Sequence, residues 1–186
     1  MRRGFRALAS VIAVTVVGIG LSYLTEHAFL KRAYEDLAFR IDPTAARAYE
    51  YGSAHLDVEN DARMYDINRA SYFLLRAAAI DPYYPYLNHQ LARVAFLKSE
   101  FDLALARIDV EIEHHGSEHH NSYYIRGLIE GYSGRYAASI ADYETYLRFD
   151  PRNWAAMNDL AWVLLKNERY KKSPENYERR TTDFSR

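Results

Sequence analysis

Residues 84–151 read YPYLNHQLARVAFLKSEFDLALARIDVEIEHHGSEHHNSYYIRGLIEGYSGRYAASIADYETYLRFDP, and a period of about 34 residues runs through them. Its punctuation is an apolar helix end followed by Asp-Pro: LAFRIDP closes at Pro43, RAAAIDP at Pro82 and YLRFDP at Pro151. Proline lacks a backbone N–H and moves the residue before it out of the helical region, so each Asp-Pro stops one helix and lets the next begin. Pro82 and Pro151 stand 69 positions apart, two units and one residue. Pro43 and Pro82 stand 39 apart, one unit with a short insertion in the polar loop DVENDARMYD, residues 57–66.

Inside these units the spacing resembles the tetratricopeptide repeat, a helix-turn-helix with small residues where its two helices touch. In the unit from Pro85, Leu91, Ala92, Ala95, Phe101, Ala104 and Ile108 fall at the packing positions of that family. In the unit from His120 the family's positions are met by Tyr123, Gly127, Gly134, Tyr136, Ser139, Tyr143 and Leu147, while Arg126 and Glu130 stand where apolar residues are usual. The unit before Pro82 keeps Ala70, Leu74 and Ala77 in its second helix, with Thr44 to Leu56 as its first. A last unit starts at Trp154 with Leu160, Ala161, Leu164 and Tyr170, and Pro174 interrupts it, leaving half a repeat. The resemblance implies an all-α fold, a right-handed α-solenoid of antiparallel helix pairs. A single hairpin cannot bury both faces of its helices, so units stack.

The N-terminus carries a different signal. MRRGFR, residues 1–6, forms a basic tail before ALASVIAVTVVGIGLSYL, an uncharged run of 18 residues from Ala7 to Leu24. At about 1.5 Å per residue such a helix just spans a hydrocarbon core of about 30 Å. The expected organisation is a transmembrane helix over 7–25, a connecting and capping helix over 26–43, a repeat domain of about three and a half units over 44–170, and a polar tail over 171–186. A cleaved signal peptide is the competing reading, but SYLTEHAFLKR lacks the small-x-small pattern of a cleavage site. Arg2, Arg3 and Arg6 against Lys31, Arg32 and Arg40 favour the N-terminus inside. The expected localisation is a single-pass membrane protein whose repeat domain is extracytoplasmic, as on a bacterial inner membrane facing the periplasm. Between Glu26 and Ile41, apolar residues recur at Phe29, Leu30, Ala33, Tyr34, Leu37 and Ala38 with helical spacing.

Lys and Arg number 24 against 25 Asp and Glu, so no positive field exists to recruit nucleic acid. The chain has no cysteine, no phosphate-binding glycine loop and no G-x-S-x-G elbow. The pattern that invites an enzyme is HHGSEHH, His114 to His120, in which His115, Glu118 and His119 follow the H-x-x-E-H order of inverted zinc metallopeptidases. That chemistry needs both histidines on one helix face. Gly116 and Ser117 fall at the turn between two units, which argues against it and leaves His114, His115, His119 and His120 as weak metal candidates in a solvated loop. No cofactor and no catalysis are expected.

What remains is a surface. In the repeat family the first helix of each hairpin lines a groove, and the resemblance carries that role to Tyr86, His89, Arg93 and Phe96, then Tyr124 and Leu128, then Asn158 and Trp162. Such a groove is aromatic with little net charge, suited to an extended peptide or helix with apolar anchors. The expected function is a membrane-anchored adaptor that binds a partner polypeptide there. The alternatives are a structural subunit of a larger membrane or envelope complex, and a cytoplasm-facing receptor. The set of lysine, asparagine and arginine that clamps a C-terminal carboxylate in one subgroup is not reproduced.

Overall fold

The protein is described here by a computed structural model covering residues 28–57 and 64–171. Eight helices make up these residues: α1 Ala28–Ile41, α2 Ala45–Ala54, α3 Ile67–Ile80, α4 Leu87–Leu97, α5 Phe101–His115, α6 Asn121–Tyr132, α7 Tyr136–Phe149 and α8 Trp154–Lys171. The Asp-Pro punctuation falls between helices each time. Chain contacts divide the protein into two compact units, 1–73 and 74–186, with the boundary inside α3.

In the first unit, Thr44 caps α2, its side chain accepting from the Arg47 N–H at 3.3 Å. Phe39, Ala48, Leu56, Met64, Ala70 and Phe73 are buried, and Phe73 takes edge contacts from the Phe39 and Tyr51 rings. Glu35 is buried beside them. Its Oε2 lies 2.9 Å from His55 Nε2, and Arg69 reaches Asp36 at 3.0 Å and the Arg32 carbonyl at 2.7 Å. A buried carboxylate is tolerable only when matched in this way. This network turns α1 from the face its periodicity suggests: Phe29, Tyr34 and Leu37 are exposed while Glu35 and Phe39 point inward. The apolar spacing located the helix and misplaced its buried side, because a charged cluster competes for the interior.

The second unit is built from two hairpins and a final helix. α4 packs on α5, α5 on α6, α6 on α7 and α7 on α8. Its core gathers Ala92, Ala95, Ala104, Leu105, Ile108 and Ile129, with Phe96, Phe101, Ile112 and Ile125 packed against it. Glycine sets the closest approaches. A Cβ on Gly127 would stand 3.3 Å from the Ser139 carbonyl and from the Tyr143 ring, and one on Gly131 would stand 3.1 Å from Val163 and 3.5 Å from Trp162. Ser139 Oγ donates to the Gly127 carbonyl at 2.6 Å across the same crossing.

Arg126, one of the two polar residues that break the repeat pattern on α6, is paired across helices. Arg126 makes a forked pair with Asp142 of α7, at 2.6 and 2.8 Å, and reaches Asp109 of α5 at 2.9 Å, so one guanidinium ties three helices. A planar fork matches a carboxylate in a way an apolar side chain cannot. Glu111 of α5 is fully buried and caps the start of α4. Its carboxylate accepts from the backbone N–H groups of Tyr86, Asn88 and His89 at 2.9, 3.1 and 3.3 Å, and from His119 Nδ1 at 2.8 Å. Those amides are the ones a helix start leaves unpaired, and the helix dipole favours an anion there. Tyr86 precedes the helix at φ 62°, so no ordinary side-chain cap is available from it.

The expectation of a membrane-spanning, extracytoplasmic protein is corrected here. Among the described residues no helix is long and apolar enough to cross a membrane. The longest, α8, has 18 residues but carries Asp159, Lys166, Glu168, Arg169 and Lys171, and charged side chains are costly in hydrocarbon. The run over residues 7–25 that motivated the expectation lies outside the described residues.

Ala104→Trp should lower the melting temperature of the protein sharply, since Ala104 is fully buried in the core and overpacking costs about 1–3 kcal/mol or more. The same change at the exposed Glu113 should be mild; equal melting of the two variants would refute the packing. Glu111→Ala should cost about 3 kcal/mol in denaturant titration, because it strands three buried N–H groups and a histidine.

Candidate functional site

The histidine run of residues 114–120 lies across the turn between α5 and α6. α5 ends at His115 and α6 begins at Asn121, so His115 and His119 do not share a helix. His115 Nε2 lies 2.9 Å from the Tyr83 carbonyl, His119 is bound to Glu111 beneath the Tyr86 ring at 3.5 Å, His114 packs on Tyr83, and His120 stacks on Phe149. The four rings serve the turn, His114 and His115 on Tyr83, His119 on Glu111 and Tyr86, and His120 on Phe149. No group of three His, Cys, Asp or Glu able to hold a metal occurs among the described residues.

The eight groove candidates separate. His89 is buried, with Nδ1 3.1 Å from Ser122 Oγ, and burial with the nearby Arg93 charge holds its pKa down at about 4. It is interior, because the Glu111 cap rotates the start of α4 inward. Tyr86 is spent on His119, Arg93 donates to Gln90 at 2.8 Å, and Phe96 packs between Phe101 and Tyr132. The candidates on α6 and α8 come together. Leu128, Asn158 and Trp162 line one cleft of about 160 Å³ with Tyr132, Tyr143 and Asp159, and Tyr124 borders it through its hydroxyl, which donates to Asp159 Oδ2 at 2.8 Å.

The cleft is aromatic on one side and polar on the other. Tyr132 and Trp162 stack with ring centres 5.6 Å apart, and Tyr124 lies against Tyr143 at 5.7 Å. Trp162 is 39% exposed. Burial first, and then the Asp159 carboxylate, hold the Tyr124 and Tyr143 hydroxyls well above the usual phenol range, so both keep their protons. Tyr132 and Asp159 escaped the sequence reading. A signal existed: Tyr132 is one helical turn beyond Leu128, and Asp159 one turn before Trp162. Tyr143 reads as core from sequence, and it is buried, yet it also lines the cleft.

The comparisons speak to the fold. The sequence matches no protein-family profile, nor any curated protein sequence. Among solved structures, the first TPR of Spaghetti (RPAP3), bound to the HSP90 peptide SRMEEVD, is similar with a TM-score of 0.57 and 21% identity over 65% of this chain and 90% of that one. Two crystal structures of MamA are similar as well. One has a TM-score of 0.66 at 18% identity, covering 89% of this chain and 87% of its own, and the other a TM-score of 0.61 at 17% identity, covering 80% and 87%. The chain has a tetratricopeptide-like fold.

Glu130, beside this site on α6, carries a usable pH signature. Burial, reinforced by the Asp142 carboxylate and opposed by Arg126, pushes its carboxyl up to about 7. Between its ordinary value near 4.5 and about 7 the folded chain holds a proton that the unfolded chain has released. That contribution to stability is complete at lower pH and disappears as pH rises through the window. Glu130→Gln, which stays neutral, should therefore gain melting temperature relative to the native chain on going from pH 5 to pH 8; a constant difference would disprove the assignment.

Proposed function

We propose that the protein is a non-catalytic binding module that holds a partner polypeptide across the first-helix face of α6 and α8, with the cleft between them receiving one anchoring side chain. The observation that carries this reading is the convergence of Leu128, Tyr132, Asn158 and Trp162 on an open cleft lined by rigid aromatic rings. Aromatic side chains offer large contact area at small entropic cost and dominate interface energies when desolvated. A cleft of about 160 Å³, smaller than the roughly 300–1,000 Å³ of typical small-molecule sites, suits a single side chain. The tyrosines that face it are held protonated, which is the reverse of what a nucleophile or base requires. The fold supports the reading, since the similar RPAP3 domain is bound to a peptide.

Of the earlier groove set, Arg93 and Tyr86 belong to the margin of such a surface, and His89 to its interior. A second reading, a structural subunit of a larger assembly, has one observation in its favour: Trp154, Met157, Leu164 and Leu165 leave α8 with an exposed apolar flank, Trp154 at 77%.

The test uses a displayed library of random dodecapeptides panned on the purified chain. Native protein should enrich a peptide set, and Leu128→Ala with Trp162→Ala should lose it by a factor of about 100 or more, at about 2 kcal/mol for each anchor contact, while melting nearly as the native chain. Enrichment that ignores both changes would remove the cleft from the function.

A further inference from the structure

We propose that the side chain received by the α6–α8 cleft is cationic, and that the partner presents an arginine to it. The inference rests on the binding reading above and adds the chemistry of the anchor.

Three features of the cleft point to a cation. Its acidic lining group is Asp159, whose Oδ2 is oriented by the Tyr124 hydroxyl at 2.8 Å, and no basic side chain lines it. Among the described residues no cationic side chain pairs with that carboxylate, whereas Asp142 of the same unit is paired with Arg126. The second feature is the aromatic wall. Tyr132, Tyr143 and Trp162 all line the cleft, and aromatic quadrupoles attract positive charge. The third is internal precedent: Lys166 Nζ sits 5.4 Å from the centre of the Trp162 ring, so this indole already draws a cation from the next helical turn without lining the cleft.

Size and shape choose arginine over a bulkier or doubly charged group. A cleft of about 160 Å³ has room for one head group. The guanidinium is flat, weakly hydrated and forked, so it stacks on an indole while donating to a carboxylate, which a compact and strongly hydrated ammonium does less well. An acidic anchor would meet Asp159 as a like charge, and a purely apolar one would leave that carboxylate facing a desolvated wall.

The peptides recovered by the library panning supply the probe. They are remade with a fluorescent label, each also with citrulline in place of its arginine, an exchange that keeps shape and removes charge, and are measured by anisotropy on the native chain and on Asp159→Asn. The recovered set should share an arginine; citrulline should weaken binding at least tenfold, and Asp159→Asn should weaken the arginine peptide by a similar factor while leaving the citrulline peptide unchanged. Should the Asp159 variant melt abnormally, the citrulline comparison on the native chain decides alone. Peptides that lack a basic residue, or bind equally with citrulline, yet are lost on Trp162→Ala would overturn the cationic anchor and leave the peptide site standing. Peptides indifferent to Trp162→Ala, or no enrichment at all, would overturn both.

Discussion

The spacing between helices of the second unit is set by residues with almost no side chain, and the rest of that unit depends on it. Gly127 and Gly131 stand one turn apart on α6 and admit α7 on one side and α8 on the other, with would-be Cβ contacts of 3.3 and 3.1 Å. At that separation the Ser139 hydroxyl reaches the Gly127 carbonyl, Tyr143 slides under α6, and Trp162 comes within stacking distance of Tyr132. The cleft is what remains open above those contacts. A larger residue at either glycine would push α7 or α8 outward and dissolve the aromatic wall, because packed interiors transmit a displacement rather than absorb it.

Polar groups then fix what apolar packing leaves adjustable. Hydrophobic contact is non-directional, and a stack of similar helices could slip by a residue without losing much buried area. Glu111 resists that slip, since its carboxylate must meet the Tyr86, Asn88 and His89 amides at the start of α4 and the His119 ring together. Arg126 does the same for α5, α6 and α7 through Asp109 and Asp142. In the first unit Glu35, His55, Arg69 and Asp36 make a comparable cluster. Each has a fixed geometry, and each occupies a place where a regular repeat would hold an apolar residue or nothing.

These clusters mark where sequence and structure part. The helix order, the Asp-Pro stops and the contacts of Ala92, Ala104 and Gly127 follow from a local period, because helix breaking and close packing depend on residue type and spacing alone. Arg126 and Glu130 stand out against that period as departures. The partners of Arg126, Asp142 and Asp109, come from other helices, so only folding pairs them. The turn of α1 that exposes Phe29 and Leu37 has the same origin: a buried carboxylate whose matching groups lie on α2 and α3 outweighed an apolar stripe.

Sequence by itself determined that this chain is helical, where its helices stop, which small residues let them touch, and that the histidine run falls at a turn. It also offered an apolar N-terminal run whose placement the described residues do not include. Tertiary structure decided which surface residues cooperate. His89, four residues from Arg93, is interior because a carboxylate from α5 draws the start of α4 inward, whereas Leu128 and Trp162, far apart in the chain, share one cleft with Tyr132 and Asp159. The physical reason is one of range. Helix propensity and breaking act over a few residues and are written in local order, but a site exists where separate helices meet at a distance set by packing, and that distance is a property of the folded whole.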